Sequence, residues 1–334
     1  VQADPDFPAI DSDGKITLAS RLSAFLFVLL LPSLGVLLAS WMTWRGMVTR
    51  VDILIFIGMY VATGLGVTVG YHRLFTHRSF ETSKLIRYTL AVCGAMAAEG
   101  APVVWAAQHR QHHAFSDVPG DPHSPLLNRP PTFLGVLKGL LFAHYGHVFF
   151  QKETINPRKY APDLVQEFFL LWMEKWSAIF VVAGFLIPGA IGWACTHTMI
   201  GTLSAILWGG FVRLFVITHA TGAVNSICHV FGARRFETGD HSGNVWWLAS
   251  LTLGESWHNG HHAFPTSARH GFVWWELDAS WLVILVLEKT FLARNVIRIK
   301  RDHVERKRVK SNHSPDTIFL NTEEEERADR APVE

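Results

Sequence analysis

The sequence predicts an all-α integral membrane protein in which two transmembrane hairpins carry a polar, histidine-rich part. Three observations predict it. Apolar residues make up 49% of the 334 and charged residues only 17%, a balance that leans towards a membrane protein with a sizeable polar part. Uncharged runs long enough to cross a bilayer come in two pairs. Histidines recur with one spacing: His109-Arg110-Gln111-His112-His113 is echoed by His258-Asn259-Gly260-His261-His262, and a looser pair stands at His72 and His77.

Taken in order, Val1–Ser20 is polar and acidic, without the charged-then-apolar pattern of a signal peptide. Leu22 to Trp44 is an uncharged run of 23 residues between Arg21 and Arg45, and Ile53 to Tyr71 is a second of 19 that ends at His72. With about 20 residues needed to cross, the two form a first hairpin, spans 22–44 and 53–71, and return His72 to the side of the N-terminus. His72 and His77 are five apart, which at 3.6 residues per turn puts them on different helix faces. They either straddle a helix end or serve two different ions. Thr89 to Gln108 is mostly apolar but holds Glu99, Gly100 and Pro102. A crossing there would part His109 from His72, so it reads as an interfacial or protein-buried helix.

Ser116 to Pro131 is loop, rich in Pro, Asp and Ser. Phe133 to Phe150, with Lys138, His144 and His147, suits an interfacial helix. Trp176 to Val212 contains no Asp, Glu, Lys or Arg and forms the second hairpin, spans 176–195 and 198–220, turning at Cys195–Thr198. No stop signal precedes Phe231, so its returning helix projects beyond the membrane and carries Asn225 and His229 on one face. Two crossings then separate the first histidine cluster from the last, which leaves all of them on one side. Trp281 to Arg298 reads as interfacial, and the basic stretch Arg298 to Lys310 favours the cytoplasmic side. Residues 311–334, acidic and proline-containing, read as a disordered tail. The folded body is accordingly 21–310, with its cap in 72–175 and 221–310.

The totals exclude several classes. A formal charge of +2 is too small to argue for nucleic acid, and Cys93, Cys195 and Cys228 lie too far apart for a thiolate metal site or disulfide framework. Histidine must therefore hold any metal. Spacings of i, i+3 and i+4 set three imidazoles on one helix face, and imidazole is the commonest ligand for transition metals. The candidates are His72, His77, His109, His112, His113, His229, His258, His261 and His262. Nine are too many for one ion and suit two, of iron, copper, zinc or nickel rather than magnesium or calcium. Singly each could be an ordinary core or surface histidine; the recurrence on one membrane face argues for a site. His123, His144, His147, His197, His219, His241, His270, His303 and His313 read as loop, interface or outer residues. Haem would need histidine pairs deep within facing spans, and a transporter would put ligands at mid-membrane; neither pattern is present.

The runs His72-Arg73-Leu74-Phe75-Thr76-His77, His109 to His113 and Trp257 to His262 resemble the three histidine boxes of the membrane fatty acid desaturases. Asp121-Pro122-His123, Tyr160 to Leu164, Asn225-Ser226-Ile227-Cys228-His229 and Gly254-Glu255 are similar to that family too, nearest to its bacterial stearoyl-CoA (delta-9) members, over about Ile53 to Arg298. The resemblance implies four transmembrane helices under a cytosolic helical cap with two irons. One would take His72, His113, His229, His258 and His262; the other His77, His109, His112 and His261, with Asn225 through a water. It also implies an acyl tunnel lined by Trp105 and Thr221 and closed at Tyr60. Where relatives that grip coenzyme A carry Arg-Asp, this chain has Ala107-Gln108; Gly222 replaces a tryptophan, and Glu99 replaces a tunnel glutamine. A buried Glu99 must be protonated or paired, which gives it a role either beside the substrate or behind the residues that hold the metals.

The expected activity is O2-dependent desaturation of a saturated long-chain acyl thioester, acyl-CoA at delta-9, in a bacterial inner membrane with site and termini cytoplasmic. Electrons come from a separate NAD(P)H-dependent reductase or carrier, and the other partners are acyl-CoA and membrane lipids. The alternatives are an acyl or sterol hydroxylase on the same scaffold, or a metal-binding membrane receptor or transporter.

Overall fold

The computed structural model describes residues 16–127, 130, 132–150 and 155–309. The N-terminal segment up to residue 15 and the tail 311–334 lie outside the described residues. The described chain is mostly helical, as expected: α1 Leu18–Trp44, α2 Arg50–Thr76, α3 Lys84–Ala95, α4 Pro102–Phe115, α5 Phe133–Phe150, α6 Phe168–Lys175, α7 Ser177–Thr196, α8 Met199–His229, α9 His258–Ala263, α10 Ala279–Lys289 and α11 Arg301–Arg306. Its one small sheet pairs β1, Glu81–Thr82, with β2, Ala293–Arg294, antiparallel.

Local signals explain the ends. Thr49 and Asp52 form a reciprocal capping box at the start of α2. Between α7 and α8, His197 takes a left-handed conformation (φ +51°) and Thr198 caps the next helix by accepting from Gly201 N. Pro102 opens α4 at a position where its missing N–H costs nothing. The next two amides, of Val103 and Val104, donate to the Glu174 carboxylate on α6 at 2.6 and 3.3 Å.

Five helices among the described residues are long and apolar enough to cross a membrane: α1, α2, α5, α7 and α8. Four match the predicted spans, with α1, α2 and α8 running further. The fifth, α5, falls where the sequence predicts an interfacial helix, and at mean hydropathy 1.3 it is the least apolar of the five. A full crossing by α5 would make three between α4 and the end of α8, and so put His112 and His229 on opposite faces. Their ring centres are 4.9 Å apart. The segment predicted as one helix over Thr89 to Gln108 is two, α3 and α4, broken at residues 96–101 where Ala98 and Gly100 have positive φ.

Candidate metal centre

Four elements meet at the C-terminal ends of α2 and α8. The last 11 residues of α2, Gly66–Thr76, are wound as a π-helix, whose i→i+5 pattern is commonly found at functional sites. His72 and His77 therefore face the same way, with ring centres 4.8 Å apart. The three-residue turn Ile227–His229 ends α8 and aims His229 inward. The six-residue α9 is held at its start by Asn244, whose side-chain oxygen accepts from the amides of Asn259 and Gly260. Arg110 locks α4 to the end of α2: its guanidinium reaches Asp163 at 2.6 Å and the carbonyls of Phe75 and Thr76 at 2.7 and 3.0 Å.

All nine candidate histidines converge. His72, His77, His109, His113 and His261 form one group and His112, His229, His258 and His262 another, with ring nitrogens in each within 4.8 Å of one another. This partition differs from the one the resemblance implies. His72 and His113 fall with the first set and His112 with the second, because the π winding brings His72 round to His77, and α4 turns His109 and His113 one way and His112 the other. In the first group the Nε2 atoms of His72 and His261 are 3.0 Å apart, those of His261 and His113 2.8 Å, and those of His113 and His109 3.1 Å. In the second, the Nε2 atoms of His229 and His258 are 3.0 Å apart. Nitrogens at right angles around a shared ion, each about 2.1 Å from it, lie about 3 Å apart. The buried Nε2 atoms of His77, His112 and His262 have no protein partner. The donor set fits two transition-metal ions.

Electrostatics favour neutral, ligating imidazoles at most of these positions; at His229 burial is outweighed by Asp117, which holds the ring above the ordinary histidine value. Burial, then neighbouring imidazoles, hold His77, His109, His113, His258 and His261 well below the ordinary histidine value, and burial takes His112 down to about 3. Four carboxylates fix outer ring nitrogens: Asp121 on His112 at 3.0 Å, Asp117 on His229 at 3.0 Å, Asp240 on His262 at 2.7 Å, and Glu255 on His72. Burial works against their charge, but the histidine hydrogen bonds and charges prevail and hold Asp117, Asp121, Asp240 and Glu255 below the carboxylate range.

Sequence reasoning missed the roles of Asp117, Asp240, Arg73 and Asp278. No spacing links the three aspartates to the boxes, and Arg73, though inside the first box, shows its partners only once the chain is folded. Arg73 is fully buried and forks between Glu255 and Asp278, both at 2.9 Å. Two histidines without company in the sequence also reach the site: the ring of His123 lies 4.4 Å from that of His112, and the ring of His270 lies 4.4 Å from that of His261.

An apolar cavity with about 540 Å³ of empty space, mouth included, is lined by His72, His109, His258 and Asn225. Tyr60, Trp105 and Thr221 line it, among Val67, Ile217 and Leu253. Trp105 stacks on His109 with ring centres 5.1 Å apart. Glu99 lies behind the wall, accepting from Thr221 Oγ1 at 2.5 Å and Trp105 Nε1 at 3.3 Å. Burial raises its carboxyl to about 7. Ala107 is wholly buried, and Gly222 makes room for His144, which a Cβ there would meet at 2.6 Å from its carbonyl oxygen.

A family model described as fatty acid desaturase matches residues 51–285. A hex-5-enoyl-[acyl-carrier protein] acetylenase of Moorena producens (strain JHB) is 40% identical over 275 residues, 81% of this chain and 85% of that one. An sn-1 stearoyl-lipid 9-desaturase of Anabaena variabilis is 37% identical over 71% of this chain and 80% of its own. One of the same name from Synechocystis sp. is 33% identical over 86% and 82%.

Proposed function

The chain belongs to the fatty acid desaturase family, and on that premise we propose that it removes two hydrogens from neighbouring methylenes of a saturated long-chain acyl group, at delta-9. The observation that carries this reading is the apolar cavity whose lining includes three histidines of the cage. The acyl chain balances as CH2–CH2 to CH=CH, the two hydrogens leaving with O2, two electrons and two protons as two waters.

No side chain here is base enough to deprotonate an unactivated methylene. When bound, two irons supply the O2-activating redox chemistry that such a C–H bond needs. His72, His77, His109, His113 and His261 would hold one and His112, His229, His258 and His262 the other, with Asn225 in the cavity lining. The rest is positioning and exclusion of water. Trp105 and Thr221, clamped by Glu99, form the wall against which the chain bends, and Tyr60 bounds the cavity away from the metals. Electrons come from a separate reductase or carrier, and the cap faces the cytoplasm of a bacterial cell. The acyl thioester is the first substrate to test. A glycerolipid is the second, since two of the relatives named above are stearoyl-lipid desaturases and Ala107 offers no head-group contact.

The test presents stearoyl-CoA, stearoyl-acyl-carrier protein and a distearoyl glycerolipid to purified iron-loaded protein with an electron donor and O2. A product two mass units lighter, with its double bond at C9, is expected from one of them. A product heavier by one oxygen would make the chain a hydroxylase, and no turnover with metal bound would overturn the enzyme reading.

A further inference from the structure

Two openings reach the histidines, and they share no lining residue. The first is the apolar cavity. The second is a polar groove with about 960 Å³ of empty space, mouth included, bounded by Ser116, Glu237, Thr238, Asp240 and Lys307, with His113 and His262 at its floor. The wall is built by pairing of distant segments: Glu237 N donates to Lys307 O at 2.9 Å and Val309 N to Arg235 O at 2.9 Å. His113 belongs to one histidine group and His262 to the other. His262 is bonded to Asp240 through Nδ1 and has a buried Nε2 without a protein partner.

We infer that metal ions enter and leave the cage through this groove, one port serving both groups. The inference rests on the reading that the cage binds metal. A hydrated divalent cation cannot shed its water among apolar walls, because nothing there replaces the lost oxygen ligands. The groove offers replacements, lining the oxygens of Glu237, Thr238 and Asp240 together with the imidazoles of His113 and His262. Lys307 is the opposing element: its ammonium, donating to Ala263 O at 2.7 Å, stands at the same mouth and repels a cation. Carboxylates and ammonium therefore push the loading rate in opposite directions.

The experiment loads metal-free full-length protein with Co2+ and follows the visible absorption of imidazole-bound cobalt by stopped flow. Gly239 has no atom within 4 Å of where a Cβ would lie, so Gly239→Trp adds bulk to the groove without backbone strain. It should slow loading at least tenfold with unchanged final stoichiometry. Glu237→Gln should slow loading severalfold and Lys307→Gln should speed it severalfold. If Gly239→Trp does not fold, the opposite signs of the other two still decide the matter. Loading rates that ignore all three changes, or that move the same way for Glu237→Gln and Lys307→Gln, overturn the port alone. A wild-type chain that never binds cobalt overturns port and cage together.

Discussion

The amide of His77 donates to the carbonyl of His72 at 3.1 Å, across five residues rather than four. That single bond is the π winding of α2 at its functional end, and it is why two histidines that a 3.6-residue helix would splay apart stand in one group.

The winding depends on close packing at its start. A Cβ on Gly66 would meet the Gly94 amide nitrogen at 2.1 Å, and backbone cannot yield there. Gly66→Ala should destabilise the protein by about 3 kcal/mol or more and lower bound metal, read as thermal midpoint and iron per chain. An unchanged midpoint would mean that α2 and α3 are not locked at this point.

Outer carboxylates give a second expectation. Asp121→Asn keeps the shape of the contact to His112 Nδ1 but removes its charge, and Asp240→Asn does the same at His262. Each should weaken metal binding about 10- to 100-fold, measured by competition with a chelator of known affinity. Wild-type affinity in both would make these aspartates packing residues only.

Much of this was legible in the sequence. The histidine clusters, four of the long apolar helices and the cavity residues Tyr60, Trp105 and Thr221 follow from run length, spacing and resemblance, and the structure brings the histidines together and sets those three residues around one cavity. What was not legible has physical causes. Periodicity assumes 3.6 residues per turn, so the π segment that sets His72 beside His77 was invisible. Asp117 and Asp240 sit on loops, where no period ties them to His229 or His262. Helix α5 has the composition of a span, and only the proximity of His112 to His229 argues against a crossing.

Acid should empty and loosen the site. Burial takes the folded-state value of His112 down to about 3 and holds His77, His109, His113, His258 and His261 low. The unfolded chain therefore binds more protons than the folded one below its ordinary histidine value of about 6.5. Stability is lost as pH falls through that value, at up to about 1.4 kcal/mol per unit for each such group. The lowered Asp117, Asp121, Asp240 and Glu255 add a loss of the same sign from about pH 4 downward. Glu99 and Glu174, raised to about 7 by burial, and His229, raised through Asp117, act oppositely, since each costs stability as pH rises. The lowered histidines outnumber them. Metal-free protein should melt progressively lower between pH 7 and pH 5; a flat or rising profile would contradict neutral, buried imidazoles.

Glu99 distinguishes clamp from charge. Glutamine can accept from Trp105 Nε1 and donate to Thr221 Oγ1, so Glu99→Gln should retain the product pattern while removing a titrating group near pH 7. Glu99→Leu leaves two donors without partners, a cost of about 1–3 kcal/mol each where buried, and frees the cavity wall beside His109. Its product should be a mixture of double-bond positions by mass spectrometry of derivatised esters. A single unshifted product from Glu99→Leu would mean that the clamp does not set the bend.

Arg73 carries the last expectation, because it acts on His72 without touching a substrate. Its guanidinium donates to Glu255 and Asp278 at 2.9 Å each and to the Ala268 carbonyl at 2.7 Å, all in a fully buried setting. Glu255 in turn bonds His72 Nδ1. A lysine has one ammonium and cannot fork between two carboxylates, so Arg73→Lys leaves a buried charge poorly paired, a loss of about 3–5 kcal/mol when a buried pair is broken. Asp278→Asn removes one charge from the same fork and keeps its shape, so it should cost less. If the chain from Arg73 through Glu255 orients His72, both variants should lose metal from the five-histidine group before the four-histidine group. Stepwise chelation followed by Mössbauer spectroscopy of 57Fe-loaded protein reads that order. Equal loss from the two groups would reduce Arg73 to a residue of the general core.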